Sequence, residues 1–231
     1  MMKDMFQARS KDLERIDTGD YTPQEYERFL HEISFINRHL GDERAMRETL
    51  LREITRENLH EFSVLDVGAG SGEMLRAVSN FARKTNRKAQ LFGLDLNEIS
   101  AKSIKNLAET PAVRGDALGL PFADKSFDYT ICSLFTHHFS DANIVKILEE
   151  MQRTARREIF VVDLHRHRLA YLSYKIFCAI FSISPLVRQD GSLSILRSFK
   201  PLELKGLAEK ASLKNVSVER HFPFRLVLRG G

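Results

Sequence analysis

Val64-Leu-Asp66-Val-Gly68-Ala-Gly70-Ser-Gly72-Glu-Met74 sets glycine at every second position, directly after an apolar run and directly before a helical pattern. That context, strand then turn then helix, is what gives the spacing meaning. Glycine turns the chain tightly and admits a ligand closer than any Cβ would allow, while the helix start offers unpaired N–H groups. The motif therefore predicts a nucleotide-like ligand. A dinucleotide site would want its third glycine at position 73, which is Glu73 here. A carboxylate beside a pyrophosphate is electrostatically poor, so a pyrophosphate ligand is disfavoured. Asp66 at the strand end argues the same way, since it pairs with a cationic group and repels phosphate.

Working outward, short apolar runs alternate with helical stretches from Glu61 onward, the mark of β-α-β units and a mostly parallel sheet. Strands are expected at Phe62 to Val67, Gln90 to Leu96, Ala112 to Gly115, Phe127 to Leu134 and Glu158 to Leu164. Two late strands, Asn215 to Arg220 and Phe224 to Leu228, are separated only by a short turn and so form a hairpin. Upstream, Thr22-Pro23-x-Glu25 is a capping box with proline at the first helical position. Tyr26, Phe29, Leu30, Ile33, Ile36 and Leu40 follow at helical spacing, Gly41 is a stop, and Asp42 is placed to cap a second helix. These N-terminal helices serve either as packing elements or as a substrate lid.

The chain has 231 residues, 43% hydrophobic and 29% charged, which suits one domain with a modest appendage. Residues 1–60 are expected to form a helical extension or lid, and residues 61–231 the ligand-binding domain with a helical insert over about 165–198. A formal charge of +4 permits an anionic partner without demanding one. Cys132 and Cys178 sit far apart among apolar residues, so neither a disulfide framework nor a zinc ribbon is expected, and the compartment reads as reducing and cytoplasmic. The first ten residues lack a signal-peptide core, and the most apolar stretch, Ile176 to Val187, is too short to span a bilayer.

Two further acids extend the ligand argument. Gly93-Leu-Asp95-Leu96 ends the second strand with a carboxylate placed for the vicinal hydroxyls of a ribose. Arg114-Gly-Asp116-Ala117 follows the third strand with an acid that can accept from the exocyclic amine of a base. An ammonium, a ribose and an adenine without phosphate describe S-adenosylmethionine. Residues 62–164 closely resemble the class I S-adenosylmethionine-dependent methyltransferases, with Asp66-x-Gly68-x-Gly70-x-Gly72, Asp95, Asp116-Ala117 and Leu120-Pro-Phe122 to Phe127-Asp128 in family order. The resemblance implies a doubly wound, seven-stranded α/β sheet with an antiparallel seventh strand. It also implies that Gly68, Ala69, Gly70 and Gly72 line the methionine and ribose, that Asp95 with Leu96 holds the ribose, that Asp116 and Ala117 meet the adenine, and that Ser133 and Leu134 floor the site. The spent cofactor would be S-adenosylhomocysteine.

Ser133-Leu-Phe-Thr-His137-His138-Phe139, after the fourth strand, resembles the segment that faces the transferring methyl in quinone-biosynthesis and natural-product methyltransferases. Methyl transfer from a sulfonium is an in-line displacement that needs mostly positioning, with a base where the nucleophile holds a proton. Histidine titrates in the useful range, so His138, His137 or both would serve as base or substrate contact, or would merely pack or cap the next helix. Asp163-Leu-His165-Arg166-His167-Arg168 lies at the carboxyl edge of the sheet, where open α/β folds bind ligands. His165 is a second candidate base, and Arg166 a contact for a phenolate or carboxylate. Asp163, His165 and His167 would share a strand face, yet a polar cluster or a helix start capped by Asp163 is the preferred reading, and no metal is expected.

Leu169 to Val187 reads as an apolar helix that covers an apolar substrate, packs as core or dimer helix, or touches a membrane surface. The run from Arg188 to Phe199, with Asp163-Leu-His-Arg, also resembles bacterial methyltransferases found beside type III polyketide synthases. Arg153, Arg156 and Arg157 read as a solvated helix C-terminus in preference to an RNA-facing patch. The expectation is thus methylation, at oxygen or activated carbon, of a small hydrophobic or aromatic acceptor of secondary metabolism, without nucleic acid. Two rivals stay open: an RNA or protein methyltransferase, and a non-catalytic adenosyl-ligand-binding or assembly protein. The sequence leaves the oligomeric state unknown.

Overall fold

Apolar strands and amphipathic helices follow one another along the chain in the order α1 (Arg15–Thr18), α2 (Pro23–His39), α3 (Asp42–Met46), α4 (Arg52–Arg56), β1 (Glu61–Val67), α5 (Glu73–Lys84), β2 (Lys88–Asp95), α6 (Glu98–Ala108), β3 (Ala112–Arg114), β4 (Phe127–Ser133), α7 (Asp141–Thr154), β5 (Ala155–Leu164), α8 (Arg168–Ile180), α9 (Pro185–Arg197), α10 (Pro201–Lys210), β6 (Ser217–His221) and β7 (Arg225–Gly230). This computed structural model describes residues 4–108 and 110–231. A π-helical turn, Arg47–Leu51, joins α3 to α4. The strands form a single sheet in the order β3-β2-β1-β4-β5-β7-β6. All pairings are parallel except those of β7 with β5 and β6, so the late hairpin sits at one edge as the sequence predicts.

Period-two alternation decides which side chain feeds which face. On β5, Ile159 and Val161 enter one core with α7 and α10, while Phe160 and Val162 enter the other with α3, α4 and α5. On β4 the rule breaks once: Phe127 and Tyr129 face opposite cores because the register with β5 shifts between them. Such an irregularity rotates the chain by one face. A third, smaller cluster joins Ile36 of α2 to Tyr174 and Cys178 of α8 and to Val187 and Ile195 of α9. It forms a helical roof over the carboxyl ends of the central strands, where the chain order reverses and such sheets bind ligands.

The roof begins as expected. Thr22 Oγ1 accepts from the Glu25 amide at 3.2 Å, and the Thr22 amide donates to Glu25 Oε2 at 2.8 Å. Gly41 follows the end of α2 with φ of +95°. One reading is corrected. Asp42 does not cap α3; it is fully buried and held by Nε and Nη2 of Arg225 on β7. The apolar helix α8 ends at Ile180, short of Pro185 where its end was expected, and a second helix follows, capped by Ser184 and opened by Pro185. Gly191 in mid-α9 allows this pair to close, since a Cβ there would lie 2.1 Å from the Tyr174 hydroxyl oxygen. That hydroxyl donates to the Val187 carbonyl at 2.7 Å.

Candidate active site

Beneath the roof lies a cavity of about 890 Å³. It is near the upper end of the range for small-molecule sites, roughly 300–1,000 Å³, and has room for a nucleoside-sized ligand beside a second molecule. One end is built by the loop after β1. Gly68, Ala69 and Gly70 line the wall, and the amides of Gly68 and Ala69 are tied to the Leu94 carbonyl at 2.8 and 3.0 Å. Gly68 has φ of +70°, and a Cβ on it would lie 2.2 Å from the Phe135 ring. Gly70, with φ of +54°, faces open space. Gly72 lies just outside the lining and fits the start of α5 against Ile104 of α6.

Asp95 at the end of β2 braces this loop. Its Oδ2 accepts from the Gly70 amide at 2.9 Å, and its Oδ1 from the Asn97 amide at 2.8 Å. Asp66 and Asp95 both face the cavity, and burial raises both carboxyls, with Asp95 pushing Asp66 up further. Asp66 is 1% exposed, and its Oδ1 is buried without a hydrogen-bond partner. An orphaned carboxylate oxygen in a cavity wall calls for a donor or a cation. The residues present therefore fit a ligand that brings an ammonium or sulfonium together with hydroxyls. Leu96, Ser133 and Leu134 line the same end. Leu134 holds φ of +50°, a strained conformation for a leucine, fixed by its amide bonding the Val162 carbonyl at 2.8 Å.

The other end is polar and centres on a short turn, Thr136–His138, after β4. Asp163, fully buried at the end of β5, organises it. Its Oδ2 accepts from Thr136 Oγ1 at 2.6 Å and from the His137 amide at 3.2 Å, and its Oδ1 meets His137 Nδ1 at 2.7 Å. Burial pushes the Asp163 carboxyl up, but His137 and these donors outweigh it and hold it at about 2. An ionised Asp163 makes Nδ1 the protonated nitrogen of His137 and leaves Nε2 with its lone pair. His137 is 2% exposed and lines the cavity.

The segment between Arg9 and Asp17 straps across this end. Arg9 donates to the backbone carbonyls of His137, Phe139 and Arg197, and to Asp141. Both Asp190 oxygens accept from the amides of Arg15 and Ile16 at 3.1 Å. Asp17 Oδ1 lies 2.7 Å from His138 Nδ1, and Oδ2 pairs with Arg197. Glu14 sits 3.9 Å from His137 Nε2 through Oε1, and its Oε2 accepts from Ser194 Oγ at 2.8 Å. Burial raises Glu14 to about 7. Local sequence patterns do not place Glu14, Asp17 or Arg197 at this site: each reaches it from more than fifty residues away, and Arg197 stands out only as part of the run from Arg188 to Phe199.

Two candidate residues from the end of β5 lie elsewhere. Arg166 turns inward, where its side chain is wholly buried and donates to the carbonyls of Phe6, Gln7 and Ser198 and to Glu203. It binds the structure together and does not line the cavity. His165 also lies outside the cavity, with its ring 5.4 Å from that of His167. Asp163, His165 and His167 do not converge: Asp163 serves His137, and His167, not Asp163, caps α8 by accepting from the Leu169 amide at 3.2 Å. Asp116 is exposed, accepts from the Leu118 amide at 2.9 Å, and with Ala117 lies outside the cavity lining.

Burial, the neighbouring His167 and nearby arginines lower His165 to about 4. The unfolded chain therefore binds a proton at higher pH than the folded one, and the stabilising contribution of neutral His165 is present above about 6.5 and lost as pH falls towards 4. His165→Gln is expected to flatten the fall of the melting temperature between those values. An unchanged acid limb would show that His165 carries no such linkage.

Arg153 bonds Glu150, Asp124 and two backbone carbonyls, Arg156 bonds the Ser126 carbonyl, and Arg157 reaches Glu57 and Asp128. These arginines are engaged within the fold. On α8, Ala170, Ser173 and Tyr174 line the cavity, whereas Leu169, Leu172, Ile176 and Ile180 are exposed. Among the described residues, no helix is long and apolar enough to cross a membrane.

Residues 64–158 match the family described as methyltransferase domain. This match spans less than half of the chain. This chain is 31% identical over 110 residues to the uncharacterized methyltransferase YcgJ of Bacillus subtilis, covering 45% of this chain and 40% of that protein. A demethylmenaquinone methyltransferase of Staphylococcus aureus is 26% identical over 159 residues, 68% of this chain and 62% of that one. This chain thus covers less than two thirds of either relative. The crystal structure of a SAM dependent methyltransferase from Aquifex aeolicus superposes with a TM-score of 0.62 at 18% identity, covering 91% of this chain and 98% of that one. That likeness speaks for the fold of the whole seven-stranded α/β sheet.

Proposed function

We propose that the protein transfers the methyl group of S-adenosylmethionine to a small acceptor with an apolar body, at oxygen or an activated carbon, as a cytoplasmic enzyme of small-molecule metabolism. The observation that carries this reading is a single roofed cavity running from the Asp66–Asp95 end to the His137–Asp163 end. The cofactor, when bound, supplies an electrophilic methyl. Asp66 offers its unpartnered oxygen to the cationic part, Asp95 offers remaining lone pairs to the ribose hydroxyls, and Gly70 leaves space for the ligand. Ser133 and Leu134 would floor the site, with Asp116 and Ala117 at the edge of the adenine.

At the far end His137 Nε2 receives the acceptor's proton or binds its reacting group, while Asp163 fixes the ring. His138, bonded to Asp17, borders the same space and helps to orient the acceptor. Phe29, Leu30, Ile33 and Ile195 give the chamber its apolar lining and exclude water. The Staphylococcus relative, named for a quinone substrate, supports an apolar acceptor.

Calorimetric titration with S-adenosylhomocysteine tests this reading. One saturable site is expected, with NAD giving none. Asp95→Ala should weaken it at least about tenfold, because the carboxylate both meets the ribose and braces the loop, each worth on the order of 1 kcal/mol or more. Binding of NAD in its place, or no binding, would overturn the cofactor assignment. A strong fall in RNA affinity with salt would instead favour a nucleic-acid acceptor.

A further inference from the structure

We propose that Glu14, His137 and His138 form a binding site for one divalent first-row transition-metal ion at the acceptor end of the cavity. The inference deepens the functional reading above and rests on it for the ion's role, though not for its binding. One donor atom from each of the three residues lies within 4.8 Å of the others, and Glu14 Oε1 is 3.9 Å from His137 Nε2 and 3.8 Å from His138 Nδ1. A tetrahedral ion with bonds of about 2.1 Å holds adjacent donors about 3.4 Å apart, so small side-chain shifts complete the set.

Independent observations point to a ligand here. Glu14 is 2% exposed, and its Oε1 has no hydrogen-bond partner although Oε2 is tied to Ser194. His137 presents Nε2 because Asp163 takes Nδ1, the outer carboxylate that metal-bound histidines almost always have. Two imidazoles and a carboxylate suit Zn²⁺, Co²⁺, Mn²⁺ or Fe²⁺ better than Mg²⁺ or Ca²⁺. Arg197 approaches Glu14 Oε1 to 3.7 Å, yet its donors are engaged by Asp17 and by the carbonyls of His137 and His138. Arg9, the other guanidinium at this end, is paired with Asp141, so Glu14, Asp17 and Asp163 outnumber Arg197 and leave room for a dication. Asp17 gives up His138 Nδ1 to the ion and keeps its pair with Arg197.

Three donors leave a coordination position open towards the cavity, where an acceptor oxygen is the ligand that the functional reading supplies. With the ion bound, His137 Nε2 holds metal and not a proton.

The test uses the full-length protein, stripped with a chelator and titrated with Co²⁺ by visible absorption and with Zn²⁺ by calorimetry. One equivalent is expected with the absorption of a coordinated ion. Glu14→Gln should weaken binding at least about tenfold, and Asp163→Asn by about 10–100-fold through loss of the outer carboxylate. His31→Ala, on the exposed side of α2, should leave it unchanged. Absence of saturable Co²⁺ uptake, or uptake equal in Glu14→Gln and the parent, would overturn the proposal. S-adenosylhomocysteine titration of the same samples reports folding, and His138→Gln replaces Glu14→Gln should the latter fail that check. Retained S-adenosylhomocysteine binding without metal binding overturns the metal site alone, and metal binding without S-adenosylhomocysteine overturns the methyltransferase reading alone.

Discussion

Gly68→Ala is expected to lower affinity for S-adenosylhomocysteine by at least about thirtyfold, through two separable effects. A residue with a Cβ held at the φ of +70° seen here costs about 1–2 kcal/mol. The new methyl would also lie 2.2 Å from the Phe135 ring, and overpacking of that kind costs about 1–3 kcal/mol more. The ring cannot simply withdraw, because it is already packed edge-on against Phe139 with centroids 4.8 Å apart. Relief must come from the loop leaving the Leu94 carbonyl or from Phe135 entering the cavity, and either changes the space in which the proposed cofactor would sit. Gly68→Ala combined with Phe135→Ala removes the clash but not the strain, so it should recover part of the loss. Titrations in which Gly68→Ala binds as tightly as the parent would show that the loop does not approach the ligand as described.

Arg225→Leu is expected to destabilise the protein by about 3–5 kcal/mol, since it strands the wholly buried carboxylate of Asp42. For a chain of this size that corresponds to a fall of roughly 6–20 °C in melting temperature. Replacing both residues by leucine removes the stranded charge and should cost clearly less than the sum of the single changes, the signature of a coupled pair. A fall of less than about 2 °C for Arg225→Leu, or simple additivity, would count against it. The pair joins the start of α3 to β7, so it fixes the base of the roof to the antiparallel hairpin.

Much of the fold was readable because it is written in local periods. The alternation on β5, the glycines between β1 and α5, and the Thr22–Glu25 capping box are each decided within about ten residues. That Asp66, the glycines and Asp95 meet at one end of a cavity was legible for the same reason, since they stand at strand ends whose position the pattern fixes. The acceptor end was not. Asp42 looked like a cap because it follows Gly41, and only its meeting with Arg225, 183 residues away, shows otherwise. Arg166 and His165 looked like ligand groups because they end a central strand. Strand order places them correctly, but which way each side chain turns depends on Phe6, Gln7, Ser198 and Phe224, whose positions no local pattern discloses. His137 and His138 were indistinguishable in sequence, and only the buried Asp163 beneath one of them separates their roles.

The Arg9–Asp17 strap supplies carboxylates to this end as well as covering it. Any route that admits a substrate by lifting the strap carries Glu14 and Asp17 away from the two histidines, and frees Arg9 from the carbonyls of the turn that bears them. Door and workbench are therefore one piece. An opened molecule keeps the Asp66–Asp95 end intact, since those acids lie on β1 and β2 and the glycine loop is tied to Leu94, but has a dismantled acceptor end. On the proposed reading, closing the strap over an acceptor is therefore what assembles the end of the cavity that receives it.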